Sequence, residues 1–385
     1  MSTPVELQTT ETQLIPVSLP KFCLYFLRLG AVGFGGPIAL AGYMQRDLVE
    51  QRRWISRDAY LEGLALSQLA PGPLAAQLAI YLGYVRAGAL GATLVGFAFI
   101  GPSFLMVLAL AEAYVRFGGL NWMQGAFYGI GAAVIAIIAR SGYKLARLTL
   151  RNDVLLWLIF TALAVSTAIS EREIVWLVVL GGLVAYAWKT GLRHFRPAQA
   201  MVPLFALPLA LHTKSLELLW FFTKAGAFVF GSGLAIVPFL YGGVVQQHHW
   251  LNDRQFLDAV AIAMITPGPV VITAAFIGYL VAGPWGACAA AAGVFIPVYL
   301  VVLLVSPHFS RIAKNPQLKA ALAGITAAAT GAIAGAIIVL GRRAIHDWLT
   351  TAIAVVALAL TLKWKIPEPV LVAFAAIAGM LFYGR

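Results

Sequence analysis

The chain has 385 residues, 61% of them hydrophobic and 11% charged, with a formal net charge of +12. Soluble domains carry about 45–50% apolar and about 25% charged residues, so a water-soluble globular fold is excluded. The positive charge does not point to nucleic acid, because Lys and Arg gather in short loops, as the positive-inside rule requires of an inner-membrane protein.

Apolar runs at 87–111, 123–139, 174–187, 285–305 and 320–340 are long enough, or nearly so, to cross a bilayer. They lack the period-2 alternation of outer-membrane strands, and a lipid core tolerates no unpaired backbone. The fold class is therefore an all-α, multi-pass membrane protein embedded in the lipid bilayer.

Residues 1–20 are polar, with no basic start before an apolar core, so a short disordered tail is expected rather than a signal peptide. The N-terminal repeat, 21–195, opens with an interrupted helix over 22–44 and a charged amphipathic stretch over 46–58. Two half-length helices then meet at Pro71-Gly72-Pro73, and spans follow at 88–114, 122–143, 154–170 and 174–190. Pro203 and Pro208 argue against a clean span in the linker 196–217. The C-terminal repeat, 218–385, runs through the same order, giving a total of about 10–12 transmembrane helices.

The duplication is visible residue by residue. An offset of 196 lays Gly30 on Gly226, Phe34 on Phe230, Gly35 on Gly231, Trp54 on Trp250 and Pro71-Gly72-Pro73 on Pro267-Gly268-Pro269. After one residue is lost from the second copy the offset is 195, and Gly83-Tyr84, Gly88, Gly91 and Pro102 match Gly278-Tyr279, Gly283, Gly286 and Pro297. A repeat of this length in so apolar a chain is the mark of a duplicated transporter, and its Gly/Pro interruptions point to the binding site.

Loop charges predict how the copies are oriented. Arg46, Arg52, Arg53 and Arg57, then Arg140, Lys144, Arg147 and Arg151, then Lys189, Arg193 and Arg196 mark the cytoplasmic side of the first copy, and the turn Glu171-Arg172-Glu173 and the nearly neutral turn at 117–121 mark the outside. In the second copy Arg311, Lys314 and Lys319 occupy the loop equivalent to 117–121, and Lys363 and Lys365 the one equivalent to Glu171. The bias flips, so the repeats are expected to be inverted, with Arg342 and Arg343 as exceptions. The two half-helices must then enter and leave on one side, as a re-entrant hairpin.

At Pro71-Gly72-Pro73 a helix must stop, and a new one begins with Pro73 at its first position, where a missing N–H costs little. The next amides are unpaired and carry the positive end of the helix dipole. Such broken backbone survives at membrane depth only where it lines a cavity or is buried in protein. Thr266 replaces Ala70 just before the second break. The run Gly33-Phe34-Gly35-Gly36-Pro37 interrupts the opening helix, matched by Phe230-Gly231-Ser232-Gly233, where Ser232 can cap a restarted helix or donate to a ligand. Four half-helix starts near the midplane would form an anion cage; Gly-rich stretches also serve simply to bring helices together, as Gly125 to Gly129 can.

Arg28 and Lys224 occupy matched positions, each alone in an apolar run. Either they are counter-charges facing an interior path or they snorkel to headgroups. Glu62 and Asp258 are also equivalent. They either carry a coupling proton, since burial favours the neutral acid, or act as first-turn acids pairing with Arg57 or Arg254. Gln68 and Gln77 flank the first break, and neither is matched in the second copy. Cys23 and Cys288 are too few for a disulfide framework and show no metal-ligand spacing, and no flavin or haem motif occurs, so no metal, cofactor or enzyme chemistry is expected.

The stretch from Phe26-Leu27-Arg28-Leu29-Gly30 through Phe34-Gly35-Gly36-Pro37, with Trp54 and Leu66-Ser67-Gln68-Leu69-Ala70-Pro71-Gly72-Pro73, resembles the chromate ion transporter family over essentially the whole chain. The resemblance implies export of chromate from the bacterial cytoplasm by a proton-driven antiporter that confers chromate resistance, with sulfate as a look-alike ion. Residue chemistry alone gives an anion transporter, and leaves open an anion channel and a homodimer.

Overall fold

The computed structural model describes residues 14–34, 36–117, 120–170, 175–190, 213–227, 236–309, 315–364, 366 and 368–383. Helix α1 (Leu19–Val32) has Pro20 in its first turn and ends where Gly33 turns extended at φ −79° and ψ 107°. Ahead of it the chain is already tied down, with Ile15 N–H bonded to Arg53 O at 2.9 Å. Helix α2 (Gly36–Met44) runs into a π-helical turn, Gln45–Gln51. Helix α3 (Arg57–Leu69) starts at Ser56, whose Oγ accepts from Ala59 N–H at 3.2 Å, and stops at the extended Ala70.

Helix α4 (Leu74–Phe117) is two helices. Ala87 and Gly88 leave helical space at φ −152° and φ +58°, and a β-carbon on Gly83 would overlap Gly91 O, so residues 89–117 fold back along 74–86. Gly63 of α3 is likewise pressed against Tyr81. Residues 57–69 and 74–86 therefore form an antiparallel hairpin whose tip is Pro71-Gly72-Pro73. Each arm is about 20 Å long at 1.5 Å per residue, too short for a bilayer core of about 30 Å.

The second copy repeats these devices. Helix α8 (Lys214–Ala227), α9 (Ile236–Tyr241) with a π-helical turn Gly242–Gln247, and α10 (Asp253–Ile265) correspond to α1, α2 and α3. A 3-10 turn, Val270–Ile272, leads into α11 (Thr273–Val305), which doubles back at Ala282 and Gly283 (φ +63°). Helices α5 (Asn121–Leu150), α6 (Val154–Ser170) and α7 (Val175–Thr190) have α12 (Pro316–Ala344), α13 (Trp348–Lys363) and α14 (Glu368–Phe382) as counterparts. The described residues thus form 14 α-helices and no strand.

Packing within each repeat uses small residues at equivalent points. Gly30 of α1 lets the helix touch Phe99 O of α4, and Gly226 of α8 does the same at Val294 O of α11. Packing between repeats is an exchange. Helix α5 of the first copy lies on α13 and α14 of the second, and α12 of the second lies on α6 and α7 of the first. The repeat boundary is a division of sequence that the packing crosses.

Four helical stretches, Leu74–Phe117, Trp122–Leu150, Val270–His308 and Pro316–Ala344, are long and apolar enough to cross a membrane. Trp176, Ile169 and Trp285 are about four-fifths exposed, at 80%, 79% and 79%. Large apolar side chains left outside in this way belong against lipid.

Candidate functional site

Three chain breaks converge inside the molecule. The Gly33 carbonyl at the end of α1 accepts from Gly268 N–H at 2.9 Å, so the second hairpin's tip is pinned to the first repeat's opening helix. Ser103 of α4 donates to Gly30 O at 3.3 Å beside it. Gly268 has φ +96°, and a β-carbon there would overlap Ser103 Oγ. Gly72, at φ +140°, faces Val298 of α11, the residue equivalent to Ser103. Each tip therefore leans on the same point of the other repeat's long helix. Between the tips lies a cavity of about 10 Å³ lined by Pro37, Leu40, Pro73, Ala75, Pro269 and Val270. Its volume is no more than that of about one water.

The two tips differ in their polar groups. At the first, the helix ladder begins with Gln77 N–H to Pro73 O at 3.0 Å. The amides of Leu74, Ala75 and Ala76 precede that first bond, and no backbone acceptor among the described residues takes them up. All three residues are buried. Gln77 is fully buried, neither of its side-chain amide atoms has a partner among the described residues, and a β-carbon on Gly72 would stand 2.9 Å from its Oε1. At the second tip, Ile272 N–H bonds Pro269 O at 3.0 Å, while the hydroxyls of Thr266 and Thr273 donate to Ile262 O and Val270 O at 2.7 and 2.8 Å.

Polar links also tie the long helices together. Thr93 and Tyr299 share a hydroxyl hydrogen bond at 2.7 Å, and Tyr279 donates to Glu112, which also pairs with Arg116. Asp258 of α10 is 3% exposed and accepts from Tyr114 of α4 at 2.7 Å. Arg254, one turn earlier, bonds Gln124 O at 3.3 Å. The architecture is that of a duplicated protein with long apolar helices and broken helices at its centre.

Comparison with known proteins decides the family. The chromate transporter family model matches residues 20–186 and 216–380, one match per repeat. This chain belongs to the chromate transporter family. It is 58% identical over 375 residues to a chromate transport protein of Cupriavidus metallidurans, covering 95% of this chain and 94% of that one. It is 54% identical to a probable chromate transport protein of Synechococcus elongatus, over 96% of both chains. A chromate transport protein of Pseudomonas aeruginosa is 32% identical over 97% of this chain and 95% of its own. These relatives are transport proteins, not enzymes. No solved structure matches the chain.

Within this chromate transporter family member, the residues singled out from sequence fall into different surroundings. Pro71, Gly72, Pro73, Pro267, Gly268 and Pro269 form the two tips, and Gly33 and Gly36 bound the third break. Phe34 is exposed, whereas Gly35, Phe230, Gly231, Ser232 and Gly233 lie outside the described residues. Arg28 sits on the exposed side of α1, and Lys224 is half-buried with its Nζ 5.8 Å from the Trp220 ring centre. Glu62 is exposed beside the Tyr81 hydroxyl, unlike its buried equivalent Asp258. Gln68 is exposed, so of the two glutamines beside the first break it is Gln77 that turns inward. Tyr114 and Ser103 were not singled out. Both lie in a long apolar run with no repeat partner of like chemistry, their equivalents being Phe309 and Val298.

Proposed function

We propose that this chain is a secondary active transporter that exports chromate across the bacterial inner membrane by alternating access, driven by the proton motive force. The observation that carries this reading is the meeting of two Pro-Gly-Pro tips in the interior, with the amides of Leu74, Ala75 and Ala76 at the first and of Val270 and Val271 at the second ahead of any backbone bond. Free amides at a helix start attract an anion without a bulky positive charge. The names of the full-length relatives supply the ion. The cavity between the tips has room for about one water, so an oxyanion is admitted only when the tips part toward one side. Inverted repeats, supported by the flipped loop charges and by the matched leaning of each tip on the other repeat, provide two equivalent ways of parting.

Coupling is assigned to Asp258. It is buried, it is held by a phenol from the other repeat, and it lies on the arm leading to the second tip. A proton taken up there changes the charge behind that tip. Glu62, its exposed equivalent, has no such leverage.

Counterflow in liposomes containing the purified protein tests the reading. Unlabelled chromate on the far side should accelerate uptake of labelled chromate. Flux without trans-stimulation would make the protein a channel, and stimulation by sulfate but not by chromate would reassign the ion.

A further inference from the structure

Gln77 is the most anomalous polar group in the described interior. It is fully buried, and neither its Nε2 nor its Oε1 finds a hydrogen-bond partner among the described residues. A buried unpaired amide costs about 1–3 kcal/mol, and such groups are rare unless an ion, water or ligand completes them. Its side chain reaches back along α4 to Gly72, and three further unpaired donors, the amides of Leu74, Ala75 and Ala76, stand at the same helix start. Donors from side chain and backbone thus gather where the Pro-Gly-Pro break opens the ladder.

The second tip carries fewer open donors: Val270 and Val271 N–H precede its first backbone bond, but no unpartnered side-chain amide stands beside them among the described residues. Its 3-10 turn Val270–Ile272 pairs Ile272 N–H with Pro269 O, and the N–H after it bonds back into the turn. Gly268 N–H is taken by Gly33, and both nearby hydroxyls, Thr266 and Thr273, are spent on their own helix backbone. The duplicated position that supplies an amide side chain at 77 supplies only a self-satisfied threonine at 273.

We infer that the oxyanion is gripped from one side: the Gln77 side-chain amide, with the amides of Leu74, Ala75 and Ala76, forms the binding shell at the first tip, and the second tip is an unliganded wall. This deepens the transport reading and rests on it. It also breaks the symmetry of the four-start cage expected from sequence. A neutral amide suits the task, since it can donate to a dianion without trapping it in a permanent ion pair.

The test is calorimetric titration of the purified full-length protein with chromate, alongside thermal melting. Gln77→Met removes both donors at near-equal volume. It should weaken chromate binding by about tenfold to a hundredfold, the loss of a hydrogen bond to a charged ligand, without lowering the melting temperature of the ligand-free protein. Gln77→Glu should abolish binding near neutral pH. Thr266→Val and Thr273→Val should stay within about twofold of wild type, below the scatter of context effects. Should Gln77→Met not purify as a single species, Gln77→Leu carries the same comparison. Near-normal affinity in the Met or Leu variant, with a raised melting temperature, would make Gln77 a misfit packing residue and overturn the inference. So would an equal loss in either threonine variant. A Pro71→Ala, Gly72→Ala, Pro73→Ala variant that binds chromate normally would overturn it too, whereas wild-type protein that binds no chromate would instead sink the transport reading beneath it.

Discussion

At the scale of single residues, matched sequence positions turn out to have unmatched environments. Glu62 and Asp258 are equivalent by the repeat, yet one is exposed and the other 3% exposed under Tyr114. No sequence pattern separates them, because burial is decided by which helix of the other copy lies across them. We predict that Asp258→Asn abolishes flux driven by a pH gradient while sparing chromate exchange at equal pH, and that Glu62→Gln retains both. Gradient-driven transport surviving in Asp258→Asn removes that residue from coupling. Gly268 gives a second prediction. Its φ of +96° and the crowding by Ser103 Oγ mean that Gly268→Ala meets both backbone strain and steric overlap. It should cost about 1–3 kcal/mol. Adding Ser103→Ala should recover only the steric part, so a double variant as stable as wild type would show that the backbone there is unstrained. The proline-bracketed glycine was legible from sequence; the Ser103 beside it was not.

At the scale of elements, the sequence marked chain breaks better than it marked helix ends. Proline with glycine forces a stop wherever it falls, so both tips and the 33–37 interruption were visible. The doubling-back at Ala87 and Gly88 left a weaker sign, a glycine matched at 283, and the two π-helical turns left none. Caps account for the rest. Asp347 caps α13: its carboxylate accepts from Thr350 N–H at 2.8 Å and from the Tyr128 hydroxyl of α5. The Thr350 amide, then the Tyr128 hydroxyl, hold that carboxyl below its ordinary value of 3.8. A depressed pKa means stability that is fully present above 3.8 and is lost as pH falls through the lower, folded value. Asp347→Ala should therefore lower stability by about 1 kcal/mol at neutral pH. Its melting temperature should converge on that of wild type in strong acid. A gap between the two proteins that persists at the lowest pH would assign the loss to packing instead.

At the scale of the molecule, the two copies are clasped, α5 lying on α13 and α14 and α12 on α6 and α7. This was not legible. In a helix that is apolar all round, the face that meets a neighbour and the face that meets lipid have the same composition. The duplication and the all-helical class were legible, since composition and the register of Gly and Pro do not depend on packing. Orientation follows from charge and is testable: in a protein lacking Cys23 and Cys288, Leu120→Cys and Asn315→Cys should react with an impermeant thiol reagent from opposite sides of the membrane. Labelling of both from one side would make the repeats parallel. The central claim is that an anion rests on free amides at a broken helix, and one measurement bears on it most directly. Chromate affinity is compared between wild type and the triple variant Pro71→Ala, Gly72→Ala, Pro73→Ala, after each is shown to reach the membrane and to stay monodisperse in detergent. Alanine lets the two arms join into a continuous helix and pairs the Leu74, Ala75 and Ala76 amides within it. The account predicts that affinity falls by about tenfold or more, at least about 1.4 kcal/mol, while a well-folded variant with wild-type affinity would contradict it.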